Sequence, residues 1–343
     1  MKMEAFAITD KYKVEKVNIA EPEVGPGDIL IEVKYIGLCG SDINAYRGLM
    51  PFVTFPRIPG HEISGIIVKK GNKVSSAYKT GDAVTVSPYT QCGTCPSCRQ
   101  GRFNCCEFNQ TLGVQRDGAL TRFISVPAEK VYVSSKLSLL ELALIEPFSV
   151  GYHAANRGGV RETDTVLLLG CGTIGMGALS AAVRKGATVI GLDLDDNKLQ
   201  LAEKFGARFS INPSKENPKE ALMKLTNNEG VNIAIEAAGS PATFNMALEL
   251  VSFGGRVVTI GYSKEETSIK TQLIVSKELD IDGSRNALRV FPSVIKMFEL
   301  REKPYTDMIT RTFPFEESPE AFRFWNENPG KVSKLIIDVQ NHA

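Results

Sequence analysis

Several features that define other classes of protein are missing from this chain. No apolar run approaches the roughly 18 residues that a membrane-spanning helix needs. Neither sign of charge is in excess, because 40 Lys and Arg residues against 39 Asp and Glu residues leave a net charge of +1. A surface that binds nucleic acid needs clustered positive charge to attract phosphates. We therefore expect neither a membrane nor a nucleic acid as a partner.

The N-terminus also lacks the pattern of a secretion signal. In MKMEAFAITDKYKVEKV, charged residues stand where a signal peptide has its apolar stretch. The seven cysteines are an odd number and most fall within residues 92–106, whereas a disulfide scaffold is short, secreted and evenly paired. Clustered thiols in a long chain are typical of a metal site in a reducing compartment. We therefore expect a cytoplasmic protein.

The first third of the chain is predicted to be rich in β-structure. Residues 29–35, 63–69 and 83–87 alternate or are rich in β-branched side chains, and Gly and Pro separate them. The last sixty residues show one clear helix, at 291–300, and a strand near 334–339. These two parts of the chain are therefore expected to build one β-rich domain.

Between residues 165 and 282 the pattern changes to short apolar strands that alternate with amphipathic segments of helical length. This alternation predicts a parallel sheet covered by helices, and so an α/β fold. The predicted strands are 166–169, 189–193, 209–212, 233–236, 257–260 and 279–282. The predicted helices are 174–185, 196–205, 219–226, 241–251 and 272–276.

A glycine-rich turn, GCGTIG at residues 170–175, follows the first of these strands and opens a helix. In this pattern Gly170 allows the tight turn and Gly172 lets the backbone approach a pyrophosphate. Gly175 lets the helix pack close to the strand, with its N-terminal amides toward the phosphate. We therefore predict a dinucleotide site formed by Gly170, Gly172, Thr173, Ile174 and Gly175.

An acidic residue stands at the position that distinguishes the two nicotinamide cofactors. Asp193 lies eighteen residues after Gly175, at the end of the next apolar strand. A carboxylate there accepts hydrogen bonds from the adenosine ribose and repels a 2′-phosphate, which favours NAD over NADP. Lys198 is a further candidate for the same ribose, or a solvated lysine of the helix surface.

The cysteine cluster has the spacing of a metal site. Cys92, Cys95, Cys98 and Cys106 offer four thiolates, which fits a tetrahedral zinc with no open position and hence a structural role. An iron–sulfur cluster is the alternative. Cys105 stands beside Cys106, so the spacing alone leaves the last ligand open.

A second set of metal-ligating side chains is scattered through the chain. Cys39 follows the first predicted strand, His61 and Glu62 follow Pro59-Gly60, and Glu146 precedes the α/β region. A thiolate, an imidazole and carboxylates together suit a catalytic zinc with room for water or substrate. Taken one at a time, the same residues are equally compatible with a core thiol, a loop histidine and surface acids.

Five motifs in order resemble the zinc-dependent medium-chain dehydrogenases. They are LCGSD at 38–42, PGHE at 59–62, the four-cysteine lobe, IEPFSVGYHA at 145–154 and GCGTIG at 170–175. The resemblance implies a GroES-like zinc-binding catalytic domain formed by residues 1–149 and 284–343. It implies a Rossmann NAD-binding domain at 150–283, inserted between those two parts, and a homodimer or homotetramer.

The same resemblance implies roles for the scattered residues. Cys39 and His61 bind a catalytic zinc, Glu62 ligates it directly or intermittently, and Glu146 ligates it or holds its water. Ser41 passes the substrate's proton outward. The structural zinc of the lobe is bound by Cys92, Cys95, Cys98 and Cys106, and not by Cys105.

The chain departs from many relatives at Asn44, where they have a histidine in the proton path. An amide does not exchange a proton at neutral pH, so the candidates for this step are water, a carboxylate such as Asp42, and Glu62 and Glu146 beside the zinc. His153 and His342 are not expected to be ligands.

The EPFSVG motif resembles the polyol branch of the family, and GVQRDGAL and GSRNA resemble its bacterial sugar-acid members of the L-galactonate type. The resemblance implies oxidation of a secondary hydroxyl to a ketone with hydride transfer to NAD+. An arginine suits a carboxylate and convergent polar groups suit a polyol. The substrate candidates are Arg285, Asn286, Arg116 and Tyr46.

Other functions stay open at this point. Sorbitol or xylitol, glucose and L-threonine dehydrogenases share the family pattern, although the threonine enzymes usually have a histidine where Ser87-Pro88-Tyr89 has none. A non-catalytic cofactor-binding protein on the same fold is the alternative from a different class.

Overall fold

The computed structural model describes residues 2–51, 53–263 and 265–340, and these form two compact units. His342 lies outside the described residues. The first unit contains the described residues up to Glu146 together with those from Phe291 onward, and the second is Pro147–Val290. Within the described ranges, no helix has the length and apolar character needed to cross a bilayer.

The strands, in chain order, are β1 (Lys2–Asp10), β2 (Lys13–Ala20), β3 (Asp28–Leu38), β4 (Glu62–Lys70), β5 (Ala83–Val86), β6 (Phe123–Pro127), β7 (Val131–Val133), β8 (Thr165–Leu169), β9 (Thr188–Leu192), β10 (Phe209–Ile211), β11 (Val231–Glu236), β12 (Val251–Thr259), β13 (Asp280–Gly283), β14 (Ile309–Pro314) and β15 (Lys334–Asp338). The helices are α1 (Gly40–Tyr46), α2 (Pro96–Arg99), α3 (Leu139–Ala143), α4 (Ile145–Arg157), α5 (Thr173–Arg184), α6 (Asp196–Phe205), α7 (Pro218–Leu225), α8 (Pro241–Leu250), α9 (Thr271–Lys277), α10 (Phe291–Glu299) and α11 (Ser318–Glu327).

The first unit is built around a mainly antiparallel sheet in the order β14-β15-β3-β4-β5-β7, with β6 also paired to β3. The long central strand β3 pairs antiparallel with both β4 and β15, which places Gly37 opposite Glu62 and Leu38 opposite Leu335. The end of β3 therefore meets the start of β4 and the start of β15. Residues far apart in the sequence come together at this corner of the sheet.

The second unit contains a six-stranded parallel sheet in the order β10-β9-β8-β11-β12-β13. Counted from β8, this is the strand order 3-2-1-4-5-6 of a Rossmann fold. Its central strands are mainly apolar and buried, as parallel strands covered on both faces must be, whereas the edge strand β13 is mostly exposed. Three helices begin at residues whose side chains accept a backbone N–H of the first turn, namely Asp195, Asn217 and Ser240.

The α/β fold class predicted from the sequence is confirmed, and α6 has the predicted bounds. One expectation for the C-terminal part is wrong, because α11 follows α10 as a second helix. Ala321 and Phe322 of α11 are buried, and the partly buried Phe324 and Trp325 pack against the same core, so this helix is amphipathic although it was not predicted.

The boundaries of the two units fall at Glu146 and Val290, whereas the sequence places them at 149 and 283. Phe148 packs against Phe205 of the second unit, with ring centroids 6.2 Å apart. After β13, the N–H of Ser284 donates to the carbonyl of Thr259, which keeps the following residues with the parallel sheet.

Candidate active site

The glycine-rich turn between β8 and α5 leaves room for a ligand. Gly170 has a φ of 101°, in the left-handed region. A β-carbon on Gly175 would stand 2.0 Å from the carbonyl oxygen of Gly170, so only glycine allows this close packing. A β-carbon on Gly172, at the start of α5, would meet no atom within 4 Å. Open space at the N-terminus of a helix is where a pyrophosphate binds.

Asp193 closes this turn from the end of β9. Its Oδ2 accepts from the N–H of Cys171 at 2.8 Å, and its Oδ1 accepts from the N–H of Asp195 at 3.0 Å. A carboxylate has about four lone-pair positions, so both oxygens retain acceptor capacity for a ligand. Lys198 is half-buried in α6. The glycine-rich turn and Asp193 thus lie together in the second unit, with Lys198 on the helix that follows.

The four predicted cysteines form a cluster in the first unit. Ligand atoms of Cys92, Cys95, Cys98 and Cys106 all lie within 4.8 Å of one another. Cys105 is outside the cluster, and its carbonyl accepts from the hydroxyl of Ser97. The structure thus points the Cys106 thiol, and not that of Cys105, toward the other three.

Hydrogen bonds favour the thiolate form of Cys92 and Cys95, whereas burial raises the pKa of Cys98 to about 12. The N–H groups of Thr94 and Cys95 point at the sulfur of Cys92, at 3.4 and 3.3 Å. Hydrogen bonds from the Ser97 hydroxyl and from backbone amides lower the pKa of Cys95 to about 5. Thiolates at tetrahedral spacing are the donors that zinc takes in a structural site.

Cys39, His61 and Glu62 form a second cluster, whose ligand atoms lie within 4.8 Å of one another. Cys39 follows β3 and precedes α1, while His61 and Glu62 stand at the start of β4. The antiparallel pairing of β3 with β4 therefore brings them together. His61 is buried, and its Nδ1 has no hydrogen-bond partner among the described residues. One thiol, one imidazole and one carboxylate are a donor set that fits zinc.

Asp42 holds the two halves of this cluster in place. It is buried, and its Oδ2 accepts from the N–H of Cys39 at 2.8 Å. Its Oδ1 accepts from the N–H of Gly60 at 3.3 Å and lies 3.8 Å from Nδ1 of His61. Burial lowers the pKa of His61, but the charges of Asp42 and Cys39 outweigh it and raise the pKa well above its usual value. Carboxylates of this kind orient metal ligands.

Glu62 is paired with a buried lysine. Nζ of Lys334 lies 2.6 Å from each carboxylate oxygen of Glu62, and it also donates to the carbonyl of Leu38 at 2.8 Å. Burial raises the pKa of Glu62 to about 7, against the opposing effect of Lys334. Lys334 was not among the predicted site residues, because a lysine at the start of the strand KLIID resembles any solvated strand end.

Glu146 has a phenol as a partner. The Tyr89 hydroxyl donates to Oε1 of Glu146, and both side chains are buried. Burial raises the pKa of Glu146, although His61 and the Tyr89 hydroxyl act in the opposite direction. Tyr89 was not among the predicted site residues. Its position three residues before Cys92 was the one available signal.

Ser41 lies in the first turn of α1, two residues after Cys39. Its Oγ is buried and has no hydrogen-bond partner among the described residues. A buried hydroxyl without a partner is costly unless a ligand supplies one. The Ser41 hydroxyl is therefore available to form a hydrogen bond with a bound ligand.

The predicted substrate contacts differ in their placement. Tyr46 is buried in the core of the first unit, where its ring contacts those of Tyr12 and Phe322. Helix α1 directs this side chain into the core, and its contact with substrate stays a prediction. Arg116 is half-buried, and its Nη2 lies 3.5 Å from the carbonyl of Pro88.

Arg285 and Asn286 lie in the second unit, between β13 and α10. Arg285 is exposed. Asn286 has a φ of 53°, a left-handed conformation that asparagine tolerates. His153 is a buried residue of α4 and belongs to neither cysteine-containing cluster.

Comparison with known proteins gives matches over both units. A family model described as "Zinc-binding dehydrogenase" matches residues 173–299, and one described as "Alcohol dehydrogenase GroES-like domain" matches residues 25–136. The sequence is 34% identical to sorbitol dehydrogenase of Bacillus subtilis over 98% of this chain and 97% of that protein. It is 33% identical to L-galactonate-5-dehydrogenase of Escherichia coli over 92% of this chain and 93% of that protein.

A solved structure of the Escherichia coli alcohol dehydrogenase RspB, in complex with NADH, superposes with a TM-score of 0.91. It is 30% identical and covers 98% of this chain and 99% of that chain. The likeness therefore extends over nearly the whole length of each protein, and the family predicted from the motifs is confirmed. The chain is an oxidoreductase of the zinc-type medium-chain alcohol dehydrogenase family.

Proposed function

We propose that this chain oxidises a secondary hydroxyl of a polyol or sugar acid, such as L-galactonate, to the ketone, with NAD+ as the hydride acceptor. The observation that carries the proposal is the cluster of half-buried Cys39 with buried His61 and Glu62, with Ser41 and Glu146 in the same unit. Alcohol and polyol oxidation with NAD(P) is the activity that the family supports. The sugar-acid substrate and the choice of NAD over NADP go beyond the family's activity and are part of this proposal.

Zinc is the metal that the first-unit sites would hold. Cys39 and His61 would hold the catalytic ion, together with Glu62 or Glu146, while the four clustered cysteines would hold a structural ion with no open position. A zinc ion held by these residues would supply Lewis acidity, which lowers the pKa of a bound hydroxyl group toward neutrality.

Ser41 and Glu146 have separate tasks around the reacting hydroxyl. Ser41 Oγ accepts a hydrogen bond from the reacting hydroxyl and relays its proton, giving up its own hydroxyl proton as it takes the substrate's, since it is buried and has no competing partner among the described residues. Asn44 does not continue this path, so water or Asp42 takes the proton on. Tyr89 fixes the carboxylate of Glu146 by donating to Oε1, which keeps a hydrogen-bond acceptor in one orientation.

The second unit would bind the cofactor, which accepts the hydride. The open face of Gly172 admits the pyrophosphate to the amides that begin α5. Asp193 would accept from the ribose hydroxyls and repel a 2′-phosphate, and half-buried Lys198 is placed on the helix that follows. We also propose a homodimer or homotetramer in the cytoplasm, on the resemblance to the family.

The deciding experiment is NADH formation by the zinc-loaded protein with L-galactonate, other aldonates, sorbitol, xylitol, glucose, L-threonine and simple alcohols. We expect a hexonate to have a kcat/KM well above that of every neutral polyol. A neutral polyol as the best substrate would overturn the sugar-acid class and leave polyol oxidation. This second candidate is favoured by the similarity to sorbitol dehydrogenase.

Two variants test how a carboxylate is recognised. If an arginine holds it, Arg116→Gln or Arg285→Gln will raise KM for the hexonate about tenfold or more and leave KM for sorbitol unchanged, since a charge-assisted pair is lost. An equal effect on both substrates would show that the arginine does not recognise the carboxylate. Turnover of none of the substrates, with two zinc ions bound, would contradict the substrate class as a whole.

A further inference from the structure

Lys334 directs its ammonium group into the first unit and not toward solvent. The residue is 2% exposed, and its three acceptors are the two oxygens of Glu62 and the carbonyl of Leu38. An ammonium has three donors, so every proton of this group is used. The lysine is therefore fixed in one position at the start of β15.

The carboxylate that Lys334 holds is also a member of the candidate zinc cluster. An oxygen of Glu62 lies within 4.8 Å of the ligand atoms of Cys39 and His61. Lys334 and a zinc ion thus both draw on the negative charge of this one carboxylate. A carboxylate that is already paired with a buried cation is a weaker metal ligand, because part of its charge is compensated.

The backbone below Glu62 limits where the carboxylate moves. A β-carbon on Gly37 would stand 2.0 Å from Oε2 of Glu62, so the carboxylate lies directly over this glycine. Leu38, the next residue of β3, supplies the third acceptor of Lys334. Strand β3 therefore fixes both partners of the pair.

The second acid of the region is held differently. Glu146 accepts from the hydroxyl of Tyr89, which is neutral, whereas Glu62 faces a full positive charge. We propose that Lys334 is a positioning residue that competes with zinc for Glu62 and so sets how strongly this carboxylate binds the metal. The inference rests on the proposed zinc ligands Cys39 and His61. It adds that Lys334 acts on the metal through Glu62.

The test measures metal binding by the full chain in the variant Lys334→Met. Zinc release to a chelator is followed, and the visible absorption of Co²⁺ placed in the same site reports its ligands. Without Lys334 the charge of Glu62 is compensated by the metal alone. We expect release to slow about tenfold, the scale of one charge-assisted hydrogen bond, and the Co²⁺ spectrum to shift.

Three further variants show whether the effect passes through Glu62. In Glu62→Gln the added change Lys334→Met is expected to have no effect on the Co²⁺ spectrum and a smaller effect on zinc release. Lys277→Met is the matched control, because Lys277 donates to the main-chain carbonyls of Leu248, Glu249 and Val251 and to no carboxylate. It is expected to release zinc as the wild type does. Lys334→Gln, which keeps a donor without the charge, replaces Lys334→Met if the latter does not fold.

The outcomes separate this inference from the proposed function. If Lys334→Met slows zinc release equally in the wild type and in Glu62→Gln, or leaves release unchanged, the role of Lys334 is overturned. Uptake of a single zinc per wild-type chain would instead overturn the proposed ligands, and with them both conclusions.

Discussion

The carboxylate of Glu62 lies over the backbone of Gly37. A β-carbon built on Gly37 stands 2.0 Å from Oε2 of Glu62 and 3.0 Å from its Cβ, and the two residues are paired across β3 and β4. Glycine at this position is therefore a condition for the arrangement of Glu62 beside Cys39 and His61. The strand register, and not only the ligands, shapes the site.

The first prediction concerns this contact. Gly37→Ala is expected to displace the Glu62 carboxylate and lower kcat/KM by about tenfold or more, since a misplaced group near the reacting atoms has costs of that size. Steady-state NADH formation measures the effect. Gly27→Ala is the matched control, because a β-carbon on Gly27 would meet no atom within 4 Å. Equal losses in both variants would contradict the steric account.

The second prediction concerns the metal content. Wild-type protein is expected to bind two zinc ions per chain, and Cys106→Ser one. Loss of the structural ion should lower the unfolding midpoint by at least about 4 °C, given about 2–4 °C per kcal/mol in a domain of this size. Elemental analysis and thermal unfolding measure both.

Cys105→Ser is the control for this prediction, because Cys106, and not Cys105, belongs to the cluster. Both zinc ions and the unfolding midpoint should be retained. Loss of a zinc ion in Cys105→Ser, with retention in Cys106→Ser, would reverse the assignment.

The third prediction concerns the partner of Glu146. Tyr89→Phe removes the hydroxyl and leaves a buried carboxylate without that donor. We expect kcat/KM to fall about tenfold, since a hydrogen bond to a charged group contributes about 1.5–3 kcal/mol. Tyr132→Phe, a change of a tyrosine whose ring stacks on Phe291, should leave activity intact. Comparable activity in the wild type and Tyr89→Phe would show that Glu146 does not depend on the phenol.

What the sequence alone predicted depends on how local each feature is. The turn at Gly170–Gly175 and the alternating strands and helices were predictable, because they are written in consecutive residues. Cys39 and His61 are joined only by the pairing of β3 with β4, so their proximity followed from the resemblance and not from spacing. Lys334 is 272 residues from Glu62 in the sequence, and the residues next to it give no sign that its ammonium group is buried.

Tyr46 shows what the sequence does not reveal about packing. It is only seven residues from Cys39 in the sequence, which made it a candidate for substrate contact. The helix α1 begins directly after Cys39, and Tyr46, at its last position, packs against Phe322 of α11. The aromatic neighbours that enclose its ring, Tyr12 and Phe322, come from distant parts of the chain, so the residues around Cys39 did not indicate this packing.

The last prediction concerns the choice of cofactor. Asp193→Asn removes the negative charge at the end of β9 but keeps the shape of the side chain and an acceptor for the N–H of Cys171. We expect the ratio of kcat/KM for NADP+ to that for NAD+ to rise about tenfold or more, because the repulsion of a 2′-phosphate is lost. Asp195→Asn is the matched control. Asp195 caps α6 by accepting from the N–H of Asn197, and asparagine caps equally well, so the preference should not change. An unaltered ratio in Asp193→Asn would mean that discrimination lies elsewhere in the second unit.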